Sequence, residues 1–110
     1  KFTSDLMNSY AWDTATVFIQ NCGTNSKYSR QTSLNTSLVQ TGTTEDIQCN
    51  IYDMASNIRE WTTETSDNSS NPCVSRGGSY RRNSYYTSDR YGDNISGVID
   101  FFGFRPLLYL

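Results

Sequence analysis

From Arg81 to Ser96 the chain runs through Arg, Asn, Ser, Tyr, Thr, Asp and Gly, with one aliphatic residue, Ile95. The segments on either side are of another kind. Asn57-Ile58-Arg59-Glu60-Trp61-Thr62 and Cys73-Val74-Ser75-Arg76-Gly77-Gly78-Ser79-Tyr80 come before it, and Phe101-Phe102-Gly103-Phe104-Arg105-Pro106-Leu107-Leu108-Tyr109-Leu110 comes after. Only these flanks hold what a core needs, so a compact arrangement brings them together and leaves the stretch between them outside. Tyr and Arg offer contact area and charge-assisted hydrogen bonds, while Ser, Gly and Asn adapt to a partner. That is the chemistry of a binding surface. The stretch has no His and no Cys, so the usual bases, soft metal ligands and thiol nucleophiles are missing from it.

The 110 residues make one domain at most, residues 1–110, with a modest core. Hydrophobic content is low at 35%, so the eight Tyr, five Phe and two Trp must carry much of the burial. A formal charge of −2 argues against nucleic acid as a partner. No run approaches the roughly 20 apolar residues of a membrane span, so direct membrane insertion is not expected. A start at Lys1 without Met suggests a mature product or an excised domain, which leaves targeting open. Cys22, Cys49 and Cys73 are odd in number and widely spaced, neither a disulfide framework nor a zinc pattern. One disulfide plus one thiol, or three buried thiols, both fit, with buried thiols preferred.

Ser9 to Gln20 places Ala11, Trp12, Ala15, Phe18 and Ile19 at helical spacing, with Asn8 or Ser9 as cap and Gly23 suited to a left-handed stop. Thr24 to Thr44 reads as irregular surface, with a short helix possible from Leu34 to Gln40. Ile51 to Asn57 reads as a packed turn. A strand follows at Ile58 to Thr63, with Ile58, Glu60 and Thr62 on one face and Arg59, Trp61 and Thr63 on the other. Ser66 to Pro72 is a polar loop, Cys73 to Arg76 a second strand, and a last strand starts at Phe102. A helix, then short antiparallel strands and long loops, is an α+β arrangement.

Asp53-Met54-Ala55-Ser56-Asn57-Ile58-Arg59-Glu60-Trp61-Thr62 resembles a signature of formylglycine-generating-enzyme-like domains, where Gly usually stands at the Ser56 position and Trp at the Arg59 position. Arg76-Gly77-Gly78-Ser79-Tyr80, Gly103-Phe104-Arg105 and Tyr10-Ala11-Trp12-Asp13 look like three further motifs of that family, in the same order. The resemblance implies a C-type lectin-like fold, with Trp61 and Phe104 in the core and Arg105 holding a carbonyl or carboxylate. By ungapped register the copper-binding cysteines of the enzymes fall at Arg82 and Thr87, neither of which binds copper or forms a thiolate. A calcium held in the enzymes by Asn and Glu would here fall to Asn57 and Glu60, the one structural cofactor the resemblance allows.

The bracket from Arg-Gly-Gly-Ser to Gly-Phe-Arg-Pro is also similar to that of the variable proteins of diversity-generating retroelements, in which surface positions inside the bracket are randomised. The resemblance implies a non-catalytic display domain for a protein or glycan ligand, part of an extracellular, cell-surface or virion protein. The display segment is residues 80–96. Its candidate contacts are Tyr80, Arg81, Arg82, Asn83, Ser84, Tyr85, Tyr86, Ser88, Asp89, Arg90, Tyr91, Asp93 and Asn94. The rivals are a structural module of a surface or virion assembly, and a degenerate formylglycine-generating-type oxidase using Cys73.

Overall fold

The computed structural model describes residues 3–94 and 101–109. The residues of the expected display segment beyond Asn94, and the end of the final strand at Leu110, lie outside them. Strand β1 (Thr3–Leu6) leads into helix α1 (Ser9–Cys22), and a 3₁₀ turn (Tyr28–Arg30) follows. Then come β2 (Ile47–Gln48), β3 (Ile51–Tyr52), β4 (Arg59–Thr65), β5 (Cys73–Arg76), β6 (Arg90–Asp93), β7 (Phe102–Phe104) and β8 (Pro106–Tyr109). The α+β arrangement is as expected.

Asn8 starts α1, its side-chain oxygen accepting from the Ala11 N–H at 2.7 Å. Trp12, Thr16 and Ile19 form the buried stripe, with Ala11 and Ala15 packed beside it. Phe18 points away from it and is half exposed. Gly23 ends the helix with φ −92°, not in the left-handed region, its N–H bonding to the Ile19 carbonyl. Residues 34–40 are bends and coil without helix. There the chain is tied down by side chains instead: Asn57 Oδ1 accepts from the Val39 N–H, and the Asn57 amide donates to the Val39 carbonyl.

β2 and β3 form a tight hairpin whose two turn residues, Cys49 and Asn50, both have positive φ. β1 pairs with β8 antiparallel. The main sheet has the order β6-β5-β4-β7, and its β4–β7 pair is parallel, so the strands are not all antiparallel. Before β4, the chain turns through Asp53 and Asn57 with φ of 59° and 69°. Asx residues tolerate that conformation best.

The core is Met7, Trp12, Ile19, Tyr28, Met54 and Ala55. It is small and is completed by buried polar contacts. The Tyr28 hydroxyl donates to Asp46 at 2.7 Å, and the other Asp46 oxygen accepts from the Ala55 N–H. Burial raises the Asp46 carboxyl above its ordinary range and the Tyr28 phenol likewise. Gly77 and Gly78 let the chain after β5 pass against this core. A Cβ on Gly78 would lie 1.8 Å from the Ala55 carbonyl oxygen, and Gly77 has φ +90° beside the Trp12 ring.

The face of the main sheet turned toward α1 carries Glu60, Thr62, Val74 and Arg76, all buried. Arg76 reaches Asp13 of α1 at 2.5 Å. Trp61 and Phe104 therefore lie on the opposite face, contrary to the core placement expected of them. Trp61 is half buried and stacks on Phe102 with centroids 4.6 Å apart, and Phe104 is 71% exposed. The cysteines also differ from the preferred reading. All three are free thiols, with Cys22 and Cys49 exposed and Cys73 half-buried.

Candidate binding face

Residues 80–94 leave the core at Ser79 and return along β6, which is an edge strand of the main sheet. They are not the wholly solvated stretch their composition suggests. Thr87, at the midpoint, is fully buried. Its carbonyl accepts from the Trp12 indole N–H at 2.8 Å, and its N–H and hydroxyl both donate to the Gln31 carbonyl. Ser88 donates twice to the Ser29 carbonyl, from its N–H and its hydroxyl. Arg76 donates to the carbonyls of Ser88 and Asp89. The segment is thus a ledge fixed to α1, to the 3₁₀ turn and to β5.

A second anchor sits on the outer face of the sheet. The Arg59 guanidinium is buried and donates to the Ser75 hydroxyl, the Ser75 carbonyl and the Gly77 carbonyl at 2.9, 2.9 and 2.7 Å. The rings of Tyr85 and Tyr91 lie over it, with centroids 4.7 and 4.5 Å from the guanidinium carbon, and the rings meet edge-on at 5.0 Å. Burial lowers the Arg59 pKa, and the nearby Asp93 opposes that effect. Asp93 accepts from the Ser75 hydroxyl at 2.8 Å. No sequence signal marks this pairing, because Arg59 and the two tyrosines meet only after the insert folds back.

The thirteen candidate residues therefore divide. Tyr85 and Tyr91 cap Arg59, Asp93 bonds Ser75, and Asp89 accepts from the Tyr86 N–H. Arg90 is paired with Glu64. The remaining candidates reach the surface, with the Ser88 hydroxyl held by the Ser29 carbonyl. Arg81, Arg82, Asn83, Ser84, Tyr86, Ser88 and Asn94 are exposed and Tyr80 is half-buried. Arg81 lies over Tyr80 and Phe101, and Arg82 over Tyr85. Tyr80 through Ser84 border an open groove of about 340 Å³, with Ser33, Asn35 and Thr36 on its other side. Two residues outside the insert join this surface and were not anticipated: Arg30, which lies over Tyr86 at 5.7 Å, and Phe101, over which Arg81 lies at 4.9 Å.

Asn57 and Glu60 do not fit the calcium that the enzymes hold there. Both Glu60 oxygens accept from Arg105 at 2.9 Å, and Arg105 also donates to the Tyr52 carbonyl. Asn57 Oδ1 accepts from Val39 and Asn35. A guanidinium takes the place of a cation, as expected of Arg105, and the oxygens are committed to a hydrogen-bonded turn. Among the described residues no group of three or more His, Cys, Asp or Glu side chains is placed to hold a metal. Of the two positions aligned with the copper cysteines, Arg82 is exposed and Thr87 is buried.

The family model described as Sulfatase-modifying factor enzyme 1-like domain matches residues 3–108. The chain belongs to this family. The match runs from β1 into β8, so this sulfatase-modifying-factor-like domain takes in the helix, the sheet and the ledge. Comparison with curated proteins and with solved structures gives no match. Among the described residues, no helix is long and apolar enough to cross a membrane.

Proposed function

We propose that this domain is a non-catalytic binding module, which presents residues 80–94 to a protein or glycan target in the manner of diversity-generating-retroelement variable proteins. One observation carries the reading. The backbone of the segment is fixed by buried Thr87, by Trp12 and by Arg76, whereas Arg81, Arg82, Asn83, Ser84 and Tyr86 turn their side chains to solvent. A rigid backbone with adaptable side chains loses little entropy on binding and changes specificity without refolding. Non-catalysis is supported by the chemistry of the site, which offers neither histidine nor a thiolate at the register positions of the copper ligands. An extracellular, cell-surface or virion setting accords with such a role.

Sequencing this locus across related isolates tests the proposal. Substitutions should concentrate at Arg81, Arg82, Asn83, Ser84 and Tyr86, with Ser79 and Thr87 constant because both are fully buried. Variation spread evenly over the chain, or concentrated at Thr87, would defeat it. A second reading, an assembly module, draws on the outer side of α1, where Tyr10, Val17 and Phe18 are exposed.

A further inference from the structure

Seven arginines stand in this chain, and most are committed to the fold. Arg76 is paired with Asp13, Arg90 with Glu64 and Arg105 with Glu60. Arg59 is buried among carbonyls and tyrosine rings. Arg30 and Arg82 are different. Both are exposed, and among the described residues neither forms an ion pair with a carboxylate. Each lies instead across a tyrosine, Arg30 over Tyr86 at 5.7 Å and Arg82 over Tyr85 at 5.8 Å.

The two stacks belong to one surface. Tyr85 and Tyr86 are neighbours in the ledge, and the 3₁₀ turn that holds Arg30 is sewn to it by the two bonds from Ser88 to the Ser29 carbonyl, at 3.1 and 2.8 Å. Lys27 stands just before that turn, on the open groove of about 440 Å³ that it shares with Asn25, Arg30 and Gln31. Of the ledge's carboxylates, Asp89 accepts from the Tyr86 N–H and Asp93 from the Ser75 hydroxyl, and neither is paired with Arg30 or Arg82 among the described residues. A chain with a formal charge of −2 thus gathers unpaired positive charge on one side.

Resting on the binding-module reading, we infer that the footprint extends beyond the insert onto Lys27 and Arg30, and that the partner is a protein presenting carboxylates to this side. Guanidinium groups 5.7 and 5.8 Å from tyrosine ring centroids have a neighbour that limits their freedom, and their planar fork matches carboxylate geometry. Tyr and Arg are also the side chains that dominate protein interfaces when desolvated. The flanking grooves are open and the aromatic residues are spread along a ledge, which suits a broad protein surface better than one enclosed small ligand. Arg30 lies outside the insert, so its charge stays on this surface when the insert changes, while its contact with the ring at position 86 is kept only where Tyr86 is kept.

The test is selection of a yeast-displayed random peptide library on the full chain, followed by affinity measurement of the enriched peptides. They should be rich in Asp and Glu, and replacing those carboxylates by amides should weaken binding at least tenfold. Arg30→Gln and Arg82→Gln should each weaken binding about tenfold, the scale of one lost charge-assisted hydrogen bond, with the melting temperature unchanged. Association should slow as salt is raised. Enrichment of peptides without acidic residues overturns the inference, as does failure to enrich any. Binding of heparin or polysialic acid in place of acidic peptides overturns the protein partner. If Arg82→Gln weakens binding and Arg30→Gln does not, the extended footprint fails while the display reading stands; if neither does, both fail.

Discussion

Replacing Tyr85 and Tyr91 together with Ser should destabilise the fold, even though both residues belong to the segment whose composition looks solvated. The two rings cover the buried Arg59 guanidinium at 4.7 and 4.5 Å and touch each other at 5.0 Å. A desolvated cation–π contact is worth up to about 2 kcal/mol, and an edge-on aromatic pair adds roughly 0.5–1.5 kcal/mol. Tyr91 is 42% exposed, and Arg59 keeps its hydrogen bonds to Ser75 and Gly77, which reduces the loss. The expected cost is about 2–4 kcal/mol, a large part of the roughly 5–15 kcal/mol that holds such a domain folded. At about 4 °C per kcal/mol for a chain of this size, melting followed by circular dichroism should shift down by about 8–16 °C. Tyr86→Ser is the control, since that ring covers only the exposed Arg30, and it should stay within about 1 kcal/mol of the parent. Tyr85→Phe with Tyr91→Phe should keep most of the stability, because the ring faces make the contact. A double Ser variant melting within about 2 °C of the parent would show that Arg59 needs no cap.

Trp12→Ala should cost about 3–5 kcal/mol and Phe104→Ala less than about 1 kcal/mol, measured by urea unfolding, since one ring is fully buried and the other is 71% exposed. Gly78→Ala should give no folded protein by near-ultraviolet circular dichroism, because its Cβ would fall on the Ala55 carbonyl. Asp46 has its pKa raised in the fold by burial, so its contribution is full below the ordinary carboxylate value of about 3.9 and is lost as pH rises through the raised value; the stability gap between parent and Asp46→Asn, measured from pH 4 to 7, should shrink with rising pH. Metal analysis after dialysis should find no stoichiometric copper, iron or zinc, since Arg82 and Thr87 stand at the thiolate positions.

Much of the framework is readable from residue order. Asn8 as cap, Trp12 and Ile19 on one helical stripe, the strand after Ile58, and the glycines at 77 and 78 all behave as local chemistry dictates. The errors have a shared cause. Alternation along β4 separates Glu60 and Thr62 from Arg59 and Trp61 but does not say which set meets the helix. The resemblance put Trp61 in the core, and the structure puts Glu60 and Thr62 there, because Arg105 neutralises the one and the Val74 carbonyl accepts from the other. Thr87 was hidden for the same kind of reason: a hydroxyl residue in a polar run gives no sign that an indole 75 positions earlier in the chain will reach its carbonyl. The outward side chains from Arg81 to Ser84 followed directly from composition, and Arg30 could not, since it lies in another segment.

The bond from the Trp12 indole to the Thr87 carbonyl divides one long excursion into two short ones. Loop closure becomes costlier only slowly with length, about 0.6 kcal/mol per doubling, and each half is closed separately against the same buried indole. Residues could then be inserted between Asn83 and Tyr85 without shifting Thr87 or the pairing of β6 with β5. The tip of the ledge could change in length as well as in sequence, while Tyr85 and Tyr91 stay matched across Arg59.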